Sequence, residues 1–110
     1  MSEEIESVKE VFEKMPQAFQ ANAAKGLNVV FQFNIDGPGG GNWYVTVKDG
    51  ACEVVSGTSE KPTCTLMLAE SNFANLMSGK LSGMQAYMTG KLKVSGDIMK
   101  AQLLSKLFKY

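Results

Sequence analysis

Four groups of residues in this sequence have types and spacings from which chemistry could be built. Cys52 and Cys64 are two thiols, and Asp36, Asp49 and Glu53 are carboxylates that could be cast as an acid–base pair. Gly37-Pro38-Gly39-Gly40-Gly41-Asn42 is a glycine-rich turn of the kind that can wrap an anion. Lys80, Lys91 and Lys93 are cations in a tract otherwise marked by methionine. What is missing narrows the field. There is no histidine, which removes His-based triads, His general bases and His metal ligands together. Every one of the 11 cations is a lysine, so the flat guanidinium fork that reads phosphates and base edges is absent as well.

Each group has a plain structural reading. The cysteines are separated by eleven residues with no second pair, whereas a zinc site takes about four ligands and a redox pair usually reads C-x-x-C. They read as small strand residues in a reducing compartment, with a disulfide between neighbouring strands as the alternative. Asp36 and Asp49 stand at turns, where aspartate serves local hydrogen bonding. The glycine run is followed by no helix and no Gly-Lys-Ser/Thr, so it reads as a hairpin connection rather than a phosphate cradle. No catalytic residue, metal or cofactor is expected, and the chain is not expected to be an enzyme.

The methionines and lysines carry more. Met77, Met84, Met88 and Met99 fall within one stretch, Phe73 to Phe108. Methionine fills irregular core gaps, but it also makes soft walls for flexible apolar ligands. The charges cancel overall, 11 against 11, which argues against a nucleic-acid partner. They are unevenly spread, however: from Lys80 onward six lysines face one acid, Asp97. Such an end could receive a lipid headgroup at Lys80, Lys91 and Lys93, or touch an anionic membrane transiently, at about 1 kcal/mol per lysine.

The elements that must position these residues follow from periodicity. Ile5, Val8, Phe12, Met15, Phe19 and Ala23 form one stripe, predicting a helix from Glu3 to about Ala24, capped by Ser2, kinked or restarted at Pro16 and stopped at Gly26. Residues 28–36 alternate, with Val29, Phe31, Phe33 and Ile35 on one face. Residues 43–48, 51–56 and 64–68 give three further strands, the first two joined by Asp49-Gly50, a strong hairpin signal. The period then changes to helical: one helix from Glu70 to Gly79, a short one from Ser82 or Gly83 to Gly90. Leu92 and Val94 make a fifth strand, and Asp97 caps a terminal helix running to the end.

That terminal helix is oily for its length. Met99, Ala101, Leu103, Leu104, Leu107 and Phe108 cover an arc of about 200°, where a helix on a sheet needs little more than 100°. The surplus calls for another helix, a partner chain, a membrane or a ligand.

The motifs resemble the sterol carrier protein 2 domain family. The resemblance is carried by Trp43-x-Val45-x-Val47-Lys48-Asp49-Gly50, Pro62-x-Cys64-Thr65, Phe73, Leu76 and Gly79-Lys80-Leu81. It continues through Ala86-Tyr87-Met88-x-Gly90-Lys91-Leu92-Lys93-Val94-x-Gly96-Asp97 to Ala101 and Leu104. It implies an α+β fold, a five-stranded largely antiparallel sheet whose helices cover one face and enclose an apolar tunnel for fatty acids, acyl-CoAs, sterols or other lipids. Thr63 departs from the aspartate the family often carries there. Ser105-Lys106-Leu107 spells a peroxisomal tripeptide, but three residues follow it, so the cytoplasm is the expected location.

The expectation is a single lipid-binding domain over 1–110, binding or transferring an apolar lipid without altering it. The expected lining is Phe31, Phe33, Leu76, Met77, Met84, Tyr87, Met88, Leu104, Leu107 and Phe108. Monomer or homodimer is left open, and so are two other readings: the oily C-terminal helix as an interaction face of a homodimer or accessory subunit with no ligand, and a small esterase or isomerase acting through carboxylates or Lys80.

Overall fold

Alternating apolar residues build the sheet on which everything else rests. A computed structural model describes residues 8–77 and 80–108. The strands are β1 (Asn28–Asp36), β2 (Gly41–Lys48), β3 (Ala51–Ser56), β4 (Cys64–Ala69) and β5 (Leu92–Gly96), in the order β3-β2-β1-β4-β5. All neighbours are antiparallel except β1 and β4, which run parallel. Asp49 and Gly50 both take positive φ, 56° and 74°, as a tight turn between antiparallel strands demands. The five-stranded, largely antiparallel sheet is the one expected.

Register sorts the side chains into two faces. Val54, Val45, Phe31, Cys64 and Gly96 lie abreast across the sheet, and Trp43, Phe33, Leu66 and Val94 form the next row. Phe31, Phe33, Val45 and Leu66 are buried, so this is the covered face. Its cover begins with α1 (Val8–Ala18), whose Phe12 stacks on Trp43 at 4.9 Å and on Phe73 at 5.2 Å and meets Phe33 edge-on at 5.2 Å. Further cover comes from α2 (Glu70–Met77), α3 (Gly83–Met88), α4 (Ile98–Ala101) and α5 (Leu104–Leu107). Ser82 caps α3 by accepting from the Gln85 N–H, and Asp97 caps α4 by accepting from the Lys100 N–H. The expected roles of Ser2, Ile5 and Gly79 lie outside the described residues.

The two terminal helices differ from expectation, for one shared reason. The stripe does not continue unbroken to Ala24: α1 ends at Ala18, and a separate 3₁₀ turn spans Ala21–Ala24. The C-terminal run is likewise broken into α4 and α5, and Phe108 leaves the helix in an extended conformation. Between the two breaks, Phe19 and Phe108 form an isolated antiparallel bridge, and the Gln20 N–H donates to the Leu107 carbonyl at 2.7 Å. Leu107 and Phe108 are thereby buried. Part of the oily surplus is thus absorbed inside the molecule, because burying apolar area outweighs the helical turns given up.

On the opposite, helix-free face, residues 57–63 carry the chain from β3 across to β4. Gln32, only 1% exposed, holds this crossover down. Its Oε1 accepts from the Ser59 N–H at 2.7 Å, and its Nε2 lies 3.2 Å from each of the Trp43 and Gly57 carbonyls. Thr63 continues the seam: its Oγ1 accepts from the Val30 N–H at 2.9 Å, a role an aspartate oxygen could fill equally.

Candidate functional site

The groups with apparent chemistry resolve into structure. Cys52 and Cys64 are free, and three strand spacings separate β3 from β4 in the sheet. At about 4.8 Å per spacing that is roughly 14 Å, twice the reach of a disulfide. The cysteines therefore do not sit on neighbouring strands, and the cross-strand disulfide is ruled out in this fold. Burial raises the pKa of the Cys52 thiol. Burial, aided by the nearby Asp97 carboxylate, pushes the Cys64 thiol up to about 11. Both are poor nucleophiles at neutral pH.

Asp36, Asp49 and Glu53 are exposed and belong to three different places, a strand end, a turn and β3. The glycine turn does hold an anion, but an internal one. The Gly39 N–H donates to Glu70 Oε1 at 3.3 Å, and a side chain at Gly37 or Gly39 would strike that carboxylate. Glu70 thus anchors the start of α2 to the β1–β2 connection. Among the described residues, no cluster of His, Cys, Asp or Glu is placed to hold a metal.

The apolar candidates divide into three depths. Phe31, Phe33, Leu107 and Phe108 are closed within the core. Leu76, Met77 and Leu104 are half-buried and pack against it. Met84, Tyr87 and Met88 face outward, 60%, 44% and 75% exposed. Leu76 and Met77 lie on α2 and Met84, Tyr87 and Met88 on α3, and these two helices pack on each other, whereas Leu104 belongs to α5.

The short helix α3 is turned opposite to the usual sense. Met84, Tyr87 and Met88 are spaced i, i+3 and i+4, so they share one side of it. That side meets solvent, while the small Ala86 points inward and is fully buried. α3 packs on β5 and α2, and α4 packs on β4 and β5 from the strand's other end. Ile98 and Met99 of α4 are also exposed, Met99 at 74%. Between the two helices, Val94 of β5 lies on the covered face yet is only half-buried. Val94 thus lies on an edge strand, on the sheet face that the helices cover, and the elements before and after that strand, α3 and α4, both carry exposed apolar side chains.

Val94 and Ile98 were not among the expected site residues. Strand alternation places Val94 on the covered face, and its half-burial accompanies the place of β5 at the edge of the sheet, which no local pattern encodes. The three lysines do not act as one group. Lys80 and Lys91 are exposed on the connections either side of α3. Lys93 pairs opposite Met67, on the face of the sheet away from the helices.

Among the described residues, no helix is long and apolar enough to cross a membrane.

Comparison with known proteins agrees with this architecture. The human protein "Sterol carrier protein 2" is 35% identical over 102 residues, covering 90% of this chain and 18% of its own length. "Hydroxysteroid dehydrogenase-like protein 2" of Mus musculus is 31% identical over 102 residues, covering 92% of this chain and 21% of its own length. The chain thus spans about a fifth of the curated relatives it matches. Among solved structures, apo sterol carrier protein 2 from Yarrowia lipolytica superposes with a TM-score of 0.70 at 31% identity, covering 88% of this chain and 83% of that one. Palmitated SCP2L2 from Aedes aegypti superposes with a TM-score of 0.72 at 27% identity, covering 92% and 93%. A model of the SCP-2 sterol transfer family matches residues 8–109, and the chain belongs to that family.

Proposed function

We propose that this domain binds the apolar chain of a lipid between its sheet and its helical cover, and carries it without altering it. The observation that supports this most is the set of apolar side chains left partly or largely exposed on α3, β5 and α4: Met84, Tyr87, Met88, Val94, Ile98 and Met99. A chain inserted there would rest on the covered face of β5, with Leu76, Met77 and Leu104 as adaptable walls. The palmitated relative, at 27% identity, supports a fatty acyl chain as the ligand class. Burying such a chain at about 0.8 kcal/mol per methylene supplies roughly 10 kcal/mol before association costs, so micromolar binding needs no covalent step. Free, protonated thiols suit a reducing compartment such as the cytoplasm.

Titration with a fluorescent fatty acid, followed by displacement with palmitate, tests the reading. One displaceable ligand per chain is expected, with the same stoichiometry by native mass spectrometry. No displaceable binding and no co-purified lipid would overturn it.

The same exposed side chains favour a second reading, a homodimer closed across α3 and α4. Light scattering separates the two: a lipid-free dimer supports the second, a lipid-loaded monomer the first.

A further inference from the structure

The outward face of α3 is both apolar and free of negative charge. No aspartate or glutamate occurs between Glu70 and Asp97, and that interval holds three lysines. Two of them, Lys80 and Lys91, bracket α3, and both are exposed. Asp97, the acid that ends the interval, is occupied in capping α4. A helix that buries an alanine and offers two methionines and a tyrosine to water is poorly matched to an aqueous surface. Apolar side chains flanked by lysines are, by contrast, matched to the boundary between acyl chains and anionic headgroups.

We propose that α3 is the membrane-docking element of this domain, inserting Met84, Tyr87 and Met88 shallowly into an anionic bilayer while Lys80 and Lys91 meet the headgroups. The long lysine stems let the charges reach the headgroup level while the methionines go deeper. Because α3 packs on β5, docking would bring the half-buried Val94 at that sheet edge towards the bilayer, so a lipid could pass between membrane and domain with little exposure to water. The proposal takes its purpose from the lipid-carrying reading, but contact with the bilayer itself does not require a bound ligand.

Vesicle co-sedimentation tests it, using phosphatidylcholine vesicles with and without roughly a quarter phosphatidylserine. The domain should bind the anionic vesicles and release in high salt, because exposed charges are screened there. The double variant K80E/K91E should weaken binding by at least about fivefold for each lysine. The double variant M84S/M88S should weaken it by roughly tenfold, through loss of the inserted apolar area. K48E makes one such charge reversal on the opposite face of the sheet, at an exposed position of β2, and should change binding far less than the fivefold expected for each lysine beside α3. Circular dichroism melts of each variant confirm that the fold is retained. Absence of wild-type binding to anionic vesicles, or an equal loss in K48E, would overturn the docking proposal. Fatty-acid titration without vesicles is read separately: its failure alongside intact vesicle binding would overturn the lipid-carrying reading and leave the docking face standing.

Discussion

Phe108 lies against Phe19, ring centroids 5.6 Å apart and planes inclined at 42°, and the two residues also pair through their backbones. This contact ties the end of the described chain to the break after α1, and it closes the helical cover from behind. Phe108 is 5% exposed. Phe108→Ala should therefore destabilise the domain by about 3 kcal/mol, the usual cost of emptying a buried phenylalanine site. Thermal denaturation measures this. If α5 is also a wall of the ligand space, fatty acid should dissociate faster from the variant in stopped-flow displacement.

Gln32 is a second long-range clamp, and its chemistry is specific. One end accepts from a crossover N–H while the other donates to carbonyls on β2 and the crossover. Gln32→Leu keeps the approximate volume but leaves these groups unpaired, at about 1–3 kcal/mol for each one that water cannot reach. Gln32→Glu should fail comparably at neutral pH, since an ionised carboxylate cannot donate to the Trp43 and Gly57 carbonyls. Urea denaturation of both variants checks this, and hydrogen exchange at Ser59 should accelerate more in Gln32→Leu than in Gln32→Glu, whose carboxylate can still accept from that N–H.

The Cys64 thiol gives a pH signature. Its ordinary value of 9.0 is raised to about 11 in the folded protein, first by burial and then by the Asp97 carboxylate. The folded state thus holds this proton more tightly than the unfolded state. The stabilising contribution is complete below pH 9, declines as pH rises through the interval, and is lost above about 11. Denaturation midpoints measured across that range should fall faster in the wild type than in Cys64→Ala. Asp97→Asn should bring the thiol down only part of the way, since burial is the larger cause. Asp97→Ala should add about 1 kcal/mol of lost helix capping.

Gly96 makes close approach possible at the edge of the sheet. Its φ is +86°, and a Cβ there would come within 2.7 Å of the Thr63 carbonyl oxygen and 3.0 Å of the Cys64 Cα. These are backbone atoms, which cannot swing aside. Gly96→Ala should cost about 2 kcal/mol or more, combining the left-handed backbone with the clash. The melting temperature should drop accordingly, whereas Gly50→Ala, with positive φ but open space around it, should cost less.

The parts of this fold legible in the sequence are those encoded by near neighbours. The alternation of Val29, Phe31, Phe33 and Ile35 shows strand and inward face at once, and Asp49-Gly50 shows the turn. Ser82 and Asp97 mark helix starts by the same local logic. What stayed hidden depends on chain brought in from afar. Gln32 sits among polar positions of a strand, and it is buried only because the crossover passes over it. Phe19 and Phe108 each fit a helical stripe, and only their meeting shows why both helices stop. For α3, periodicity joins Met84, Tyr87 and Met88 but cannot say whether their shared side faces in or out. Of the candidate lining residues, the burial of Phe31 and Phe33 was consequently legible from strand alternation, and the exposure of Met84, Tyr87 and Met88 was not.

The proposal that a ligand enters beside Val94 has a sharp test. Val94 is half-buried on the covered face of β5, beside Leu66 and between α3 and α4. Replacing it with phenylalanine places a ring at the proposed entry while leaving the buried rows of β1, β2 and β4 untouched. Because the position is half-buried on an edge strand, stability should change by less than about 1 kcal/mol. An acyl chain threaded past this point would lose the room of roughly two methylenes, at about 0.8 kcal/mol each. Val94→Phe should therefore weaken fatty-acid binding about tenfold with its melting temperature nearly unchanged. Val94→Ala, which widens the proposed entry, should retain binding. Equal affinity in the wild type and the phenylalanine variant would move the entrance away from β5, to some other margin of the helical cover.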